Sequence, residues 1–313
     1  MAQSRTTHFS PASDVRGALK EGIGAFRAAN VPSPILAAEL LLMHALGRDR
    51  TWLYTYPESV VDADALAKFR AFVERRAAGE PTQYITGKQE FWGLEFEVTP
   101  AVLIPRPETE HVVEVALERL GLRGIKIDMK TGAPSPRLRL ADVGTGSGCL
   151  AVALAHELPH ADVVATDISA AALEVAARNA ARHHVADRMR FVEGDLLQSL
   201  IPAPDQRVSE GFDVVVSNPP YIAQAAGSTL QREVRDHEPA LALFGGVHGT
   251  EIYSRLIQQA AAALRPRGIL ILELGYGAAD EVRRMFHVQQ DWVNVSATND
   301  LAGIPRVIAA ERA

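Results

Sequence analysis

The stretch "ADVGTGSGCLAVAL", residues 141–154, decides how this chain folds. An apolar strand ending at Val143 runs into Gly144, Gly146 and Gly148, and an apolar helix follows at once. Glycines at such a joint let the backbone turn sharply and approach a ligand closely. A dinucleotide fingerprint would place its third glycine one residue later, where this chain has Cys149. The loop, with Thr145 and Ser147 between its glycines, therefore suits a ligand without a pyrophosphate. Taken alone it reads equally well as a tight structural turn. Cys149 itself reads as a small buried residue rather than a nucleophile.

Downstream the pattern repeats. Strand "DVVATD" leads to helix "AALEVAARNAARHH", and strands "MRFVEGD" and "FDVVVSN" follow. Helix "EIYSRLIQQAAAAL" leads to strand "GILILELG", and a helix over 278–286 precedes strands "WVNVSAT" and "PRVIAAE". Alternating strand and helix predicts an α/β fold, a mostly parallel sheet of seven strands with helices on both faces. The last two strands are too close for a crossover helix, so they are expected to pair antiparallel at one edge. Ligands in such sheets bind at the carboxyl ends of the strands. Three successive ends here carry the glycine loop, Asp167 and Asp195. Asp167 sits where an acid can accept both hydroxyls of a ribose, and Asp195 where it can face an adenine amine. Each acid alone is more often a cap or a solvated loop residue than a ligand contact; the conjunction of three strand ends is what assembles a nucleoside site.

The fourth strand closes with "VVVSNPPYI", residues 214–222. Two prolines after Asn218 stiffen the segment in an extended form without internal hydrogen bonds. The result is a rigid arm that offers the amide oxygen of Asn218, the carbonyl of Pro219 and the ring of Tyr221. Such an arm can hold a planar –NH2 group by its hydrogens, with an aromatic ring against its plane.

Residues 1–12 read as a flexible tail, 13–79 as a helical domain, 80–105 as a hairpin linker broken at Gly87 and Gly93, and 106–313 as the α/β domain. Val15, Leu19, Ile23 and Phe26 share one helix face with Ser13 as its cap, and Ser33-Pro34 opens a second helix that Gly47 closes. Leu66, Phe69 and Val73 mark a third. Residues 123–137, "RGIKIDMKTGAPSPR", read as an exposed insertion. His183 and His184 read as a solvated face, and Arg106 as a residue at the site mouth or paired with Glu108 or Glu110. The formal charge of −6 argues against broad nucleic-acid binding. A single cysteine, no signal peptide and no apolar run long enough to span a bilayer predict a cytoplasmic protein off the membrane. The ten histidines form no metal-ligand pattern, so no metal is expected.

The Asn-Pro-Pro-Tyr tetrapeptide resembles that of methyltransferases acting on planar nitrogen, adenine N6 or glutamine N5. More specific are "GEPTQYITGKQEFWGLEFEVTPAVLIPRPETE" (79–110), "VRDHEPALALFGG" (234–246) and "NDLAGIPRVIAAER" (299–312). These resemble the protein-(glutamine-N5) methyltransferases that modify peptide chain release factors. The resemblance implies a Rossmann-like domain binding S-adenosyl-L-methionine, which leaves as S-adenosyl-L-homocysteine. It implies cofactor contacts from Gly144, Thr145, Gly146, Ser147, Gly148, Asp167, Asp195, Leu196 and Asn218. Catalysis would fall to Asn218, Pro219 and Tyr221, with Pro220 completing the substrate arm. The partner would be a release factor, recognised by the helical domain, with no direct nucleic-acid binding. Leu196 stands where family members can carry an aromatic ring against the adenine, and offers an apolar wall without stacking. Three alternatives stay open: a glutamine methyltransferase of a ribosomal protein, an adenine-N6 methyltransferase of nucleic acid, and a methyltransferase-like domain kept only for binding.

Overall fold

Val214, Val215 and Val216 are fully buried, and neighbours along this strand face opposite cores. That is the signature of a strand covered on both sides. The computed structural model describes residues 13–122, 137–201 and 211–313, which fall into two units: residues through Gly87 with Gln231–His237, and the remainder from Lys88. The tail 1–12 and nearly all of the 123–137 insertion lie outside the described residues.

The first unit pairs β1 (Ser13–Asp14) with β2 (Val60–Val61) and packs α1 (Val15–Ala28), α2 (Pro34–Leu46), α3 (Arg50–Thr55), α4 (Ala63–Ala77) and α5 (Thr82–Thr86). Phe26, Leu41, Leu42 and Phe69 form its core. The cap of α1 is Asp14, which accepts from Gly17 N at 2.7 Å, and not Ser13. Ser33 makes no side-chain cap, because its backbone is left-handed (φ 49°); Pro34 still opens α2 and Gly47 closes it. Gly87 ends α5 instead of breaking a strand, so the helical unit runs past residue 79. Gln231–His237 contains α9 (Arg232–His237), whose Glu233 pairs with the buried Arg76.

The second unit begins with a hairpin, β3 (Lys88–Phe91) and β4 (Leu94–Glu97), turned by Trp92-Gly93 with both residues at positive φ. After α6 (Glu110–Leu122) come β5 (Leu138–Val143), α7 (Cys149–Glu157), β6 (Ala161–Asp167), α8 (Ala170–Arg182), β7 (Met189–Glu193) and β8 (Phe212–Ser217). A short β9 (Ile222–Ala223) runs parallel to β10 (Phe244–Gly246), with α10 (Ala240–Leu243) between them. The chain closes with α11 (Glu251–Ala263), β11 (Leu264–Glu273), α12 (Ala279–Val288), β12 (Trp292–Asn299) and β13 (Pro305–Arg312).

The seven-stranded sheet has the order β12-β13-β11-β8-β5-β6-β7. Every pair is parallel except those made by β13, which lies antiparallel between β11 and β12. The core holding α6, α7 and α8 takes Leu140, Val214, Val216, Ile269 and Ile271; the core holding α11 and α12 takes Ala141, Val215, Leu270 and Leu272. Each fully buried valine, leucine or isoleucine side chain contributes roughly 1.5–3 kcal/mol. Chain order reverses at β5, which has β6 on one side and β8 on the other. That crevice is where such sheets bind ligands. No helix among the described residues is long and apolar enough to cross a membrane.

One fully buried side chain ties the hairpin to the glycine loop. Asn179 of α8 accepts from Glu97 N at 2.7 Å and donates to Glu97 O at 3.0 Å and Ser147 O at 2.8 Å. Asn179→Ala strands these backbone groups and is expected to lower stability by about 1–3 kcal/mol. Urea unfolding measures this; an unchanged midpoint would show that water replaces the bonds.

Candidate functional site

The carboxyl ends of four strands are fastened together beneath the site. Ser217 Oγ donates to Val143 O at 2.6 Å, joining β8 to β5. Thr145 N donates to Thr166 O at 2.9 Å, and Gly194 N to Asp167 O at 3.0 Å, joining β5 to β6 and β6 to β7. Above them lies a cavity of about 280 Å³.

The glycine loop forms its floor. Gly144, Gly146 and Gly148 all have positive φ, at 69°, 54° and 81°. Gly144, Thr145, Gly146 and Ser147 line the cavity, but Gly148 does not. It faces α8, where a Cβ would meet that of Ala176 at 3.0 Å; its role is close helix packing. Asp167 lines the cavity and accepts from Gly146 N and Ser169 N, both at 2.9 Å. Each carboxylate oxygen keeps acceptor capacity for a further hydroxyl. Burial raises its pKa against the pull of those backbone bonds.

Asp142, which the motif reading left out, is the buried acid of the floor. Its Oδ2 accepts from Thr145 Oγ1 at 2.6 Å and Ala151 N at 3.1 Å, while its buried Oδ1 has no partner. Desolvation pushes it up to about 7. An orphaned carboxylate oxygen on a cavity wall is a place for a cationic donor. The signal was present in the sequence as the Asp two residues before the first glycine. Cys149 also lines the cavity, with burial pushing its thiol up to about 12, so it is not a thiolate nucleophile at neutral pH.

Asp195 and Leu196 line the far wall with Ile168. Asp195 lies two residues beyond the end of β7 and is ion-paired with Arg255 of α11, a partner the sequence did not suggest. Leu196 adopts φ 55° and gives the wall an aliphatic surface.

The arm after β8 is pinned from behind. Asn218 and Pro220 line the cavity; Pro219 and Tyr221 do not. A Cβ on Gly245 would meet Pro220 O at 2.4 Å, and one on Gly275 would meet the Tyr221 ring at 2.8 Å. Only glycine permits that approach. Tyr221 therefore packs into the protein, and its hydroxyl donates to Glu273 Oε1 at 3.2 Å. Thr109 Oγ1 donates to Glu273 Oε2 at 2.5 Å and accepts from Asn218 Nδ2 at 3.1 Å. Burial pushes Glu273 up to about 7, and burial next to Glu273 raises Tyr221. The sequence reading missed Thr109 and Glu273, which no spacing rule joins across the chain.

The segment before α6 forms another wall through Ala101, Val102, Leu103, Pro105 and Thr109. It is held by Glu238, which is buried and accepts from Ile104 N at 3.2 Å and from the Arg106 guanidinium. Arg106 thus pairs with Glu238 rather than with Glu108 or Glu110. His183 is half-buried, with Nε2 2.9 Å from Glu95 O and its ring against Phe96, so it is not simply solvated.

Comparison with known proteins places the chain in a family. The PrmC N-terminal domain family matches residues 17–87 and the methyltransferase small domain family residues 129–242. The catalytic domain of human Mettl16, solved in complex with the MAT2A 3′UTR hairpin 6, is similar in fold at a TM-score of 0.52; it is 17% identical, with 84% of this chain and 92% of that chain covered. The chain is 41% identical to the release factor glutamine methyltransferase of Nitratidesulfovibrio vulgaris, over 95% of each. It is 45% identical to that of Koribacter versatilis, over 91% of this chain and 94% of the relative. Likeness of that extent, running through both units, means that this chain belongs to the release factor glutamine methyltransferase family.

Proposed function

We propose that this chain transfers a methyl group from S-adenosyl-L-methionine to the side-chain amide nitrogen of the glutamine in the Gly-Gly-Gln loop of peptide chain release factors, in the cytoplasm. The observation that carries the reading is the meeting of the glycine loop and the Asn218 arm on one cavity, across the β5–β8 seam. The residues present fit the cofactor. The free Oδ1 of Asp142 suits its ammonium group, Asp167 its ribose hydroxyls, and Ile168 and Leu196 its adenine.

When bound, S-adenosyl-L-methionine supplies an electrophilic methyl carbon on a sulfonium. The nucleophile is difficult, because an amide nitrogen shares its lone pair with the carbonyl; the peptide amide's rotation barrier of about 18–20 kcal/mol measures that delocalisation. Asn218 Oδ1, on the cavity, and the carbonyl of Pro219, which lies just beyond the cavity lining between Asn218 and Pro220, are acceptors for the two amide hydrogens and turn the nitrogen toward the methyl carbon. Their bonds strengthen as the nitrogen becomes positive, which is stabilisation specific to the transition state. Holding both reactants in line supplies the rest. Once methylated the nitrogen loses its proton readily, so no dedicated base is assigned. The helical unit is the docking surface for the release factor. Nucleic acid is the weaker substrate class, since an adenine must be flipped into the site along a phosphate-tracking groove and the chain carries a net charge of −6.

Radiolabelled cofactor, release factor and DNA in one tube test this reading. Label is expected in release factor, and not in a release factor whose Gly-Gly-Gln glutamine is replaced; label in DNA or at another residue contradicts it. Asp167→Ala is expected to weaken cofactor binding by about 1–3 kcal/mol, read by calorimetry, and an unchanged affinity removes Asp167 from the site. Asn218→Ala is expected to lower turnover by roughly two orders of magnitude while the protein stays folded; a normal rate rejects the amide clamp.

A further inference from the structure

Glu273, at the end of β11, is buried to 2% exposure, and the chemistry proposed above gives it no task. Its surroundings define one. Two hydroxyls converge on its carboxylate, Thr109 Oγ1 on Oε2 and Tyr221 on Oε1. An ionised carboxylate only accepts hydrogen bonds, and a threonine hydroxyl has a single proton. That proton is committed to Glu273. Toward Asn218, Thr109 Oγ1 therefore has only a lone pair to offer, and the amide atom facing it at 3.1 Å must be the donor Nδ2. An asparagine amide has two ends, so fixing Nδ2 on Thr109 leaves Oδ1 as the end free for the cavity that Asn218 lines.

We propose that Glu273, acting through Thr109, is a positioning and specificity-determining residue that compels Asn218 to present its oxygen, not its –NH2, to the reacting group. The proposal rests on the amide-methyl-transfer reading above and deepens it. A pocket presenting an acceptor receives a substrate –NH2 and disfavours a carboxylate or carbonyl at the same place. If Glu273 is replaced by Gln, the side chain can instead donate to Thr109. The Thr109 hydroxyl is then free to donate toward Asn218, and the amide can turn over and offer its NH2 to the substrate. Tyr221 has a related place: with its hydroxyl on Glu273 and its ring against Gly275, it holds the carboxylate from the other side. Glu108 and Arg306 act on Glu273 electrostatically in opposite senses, and Tyr253 Oη donates to its backbone carbonyl at 2.9 Å. Because burial pushes Glu273 up to about 7, the assay belongs above that pH, where the carboxylate is ionised.

The test compares Thr109→Val, Thr109→Ser, Glu273→Gln and the Thr109→Val/Glu273→Gln double variant with wild type. Methylation of release factor by wild type is established first, so failure there rejects the reading of function and not the positioning role. Each variant is checked for its melting transition and for S-adenosyl-L-methionine affinity. Thr109→Val is expected to lower kcat by about tenfold to a hundredfold, the scale of a misplaced reactant, with cofactor affinity unchanged. Thr109→Ser keeps the hydroxyl and is expected to stay within about threefold of wild type. Glu273→Gln is expected to lose as much as Thr109→Val, and the double variant no more than either, because the two residues act in series. A wild-type kcat in Thr109→Val, equal losses in the Ser and Val variants, or additive losses in the double variant would each overturn the proposal. If Glu273→Gln does not fold, the Ser and Val pair at position 109 decides alone.

Discussion

The site depends on the seam where β8 lies beside β5, closed at its end by Ser217 Oγ on Val143 O. Chain order reverses there, so the loop leaving β5 and the arm leaving β8 emerge side by side with no strand between them. A methyl transfer needs two reactants on one line. In the proposed reaction the seam meets that need by topology, before any side chain is considered.

Each half of the site is then stiffened from behind. On the β5 side, Asn179 holds Ser147 O while Asp142 holds Thr145 and the start of α7. On the β8 side, the Asn218 amide rests on Thr109, and Pro220 and Tyr221 lie against Gly245 and Gly275 from two other segments. Glu238 fastens the opposite wall. Buried polar groups of this kind are costly when unpaired and specify one geometry when paired. Asp142 Oδ1 is an exception, buried without a partner at a place where a cationic ligand group would complete it.

The sheet was legible because its physics is local. Runs such as Val214–Val216 must be covered on both faces, and the glycine loop marks the first turn. That Asp167 and Asn218 line one cavity was legible because they stand at strand ends, where such sheets place ligands. What escaped was set by contacts far apart in the chain. Asp195 takes Arg255 as a partner, and Tyr221 turns inward because Gly275 leaves room for it. Thr109 and Glu273 meet only when β11 and the segment before α6 come together. Cap geometry misled as well: Asp14 outcompeted Ser13, and Ser33 has a left-handed backbone.

The central claim is that the cofactor and a glutamine amide share the cavity across this seam. The most direct measurement is calorimetric binding of a bisubstrate compound, in which a glutamine amide nitrogen is joined through one carbon to the sulfur position of S-adenosyl-L-homocysteine. Wild type is expected to bind it at least about tenfold more tightly than S-adenosyl-L-homocysteine alone, as mimics of a transition state do. Asn218→Ala is expected to abolish that gain, and Asp167→Ala to weaken both ligands alike. No gain in wild type, or a gain that survives Asn218→Ala, would contradict the account.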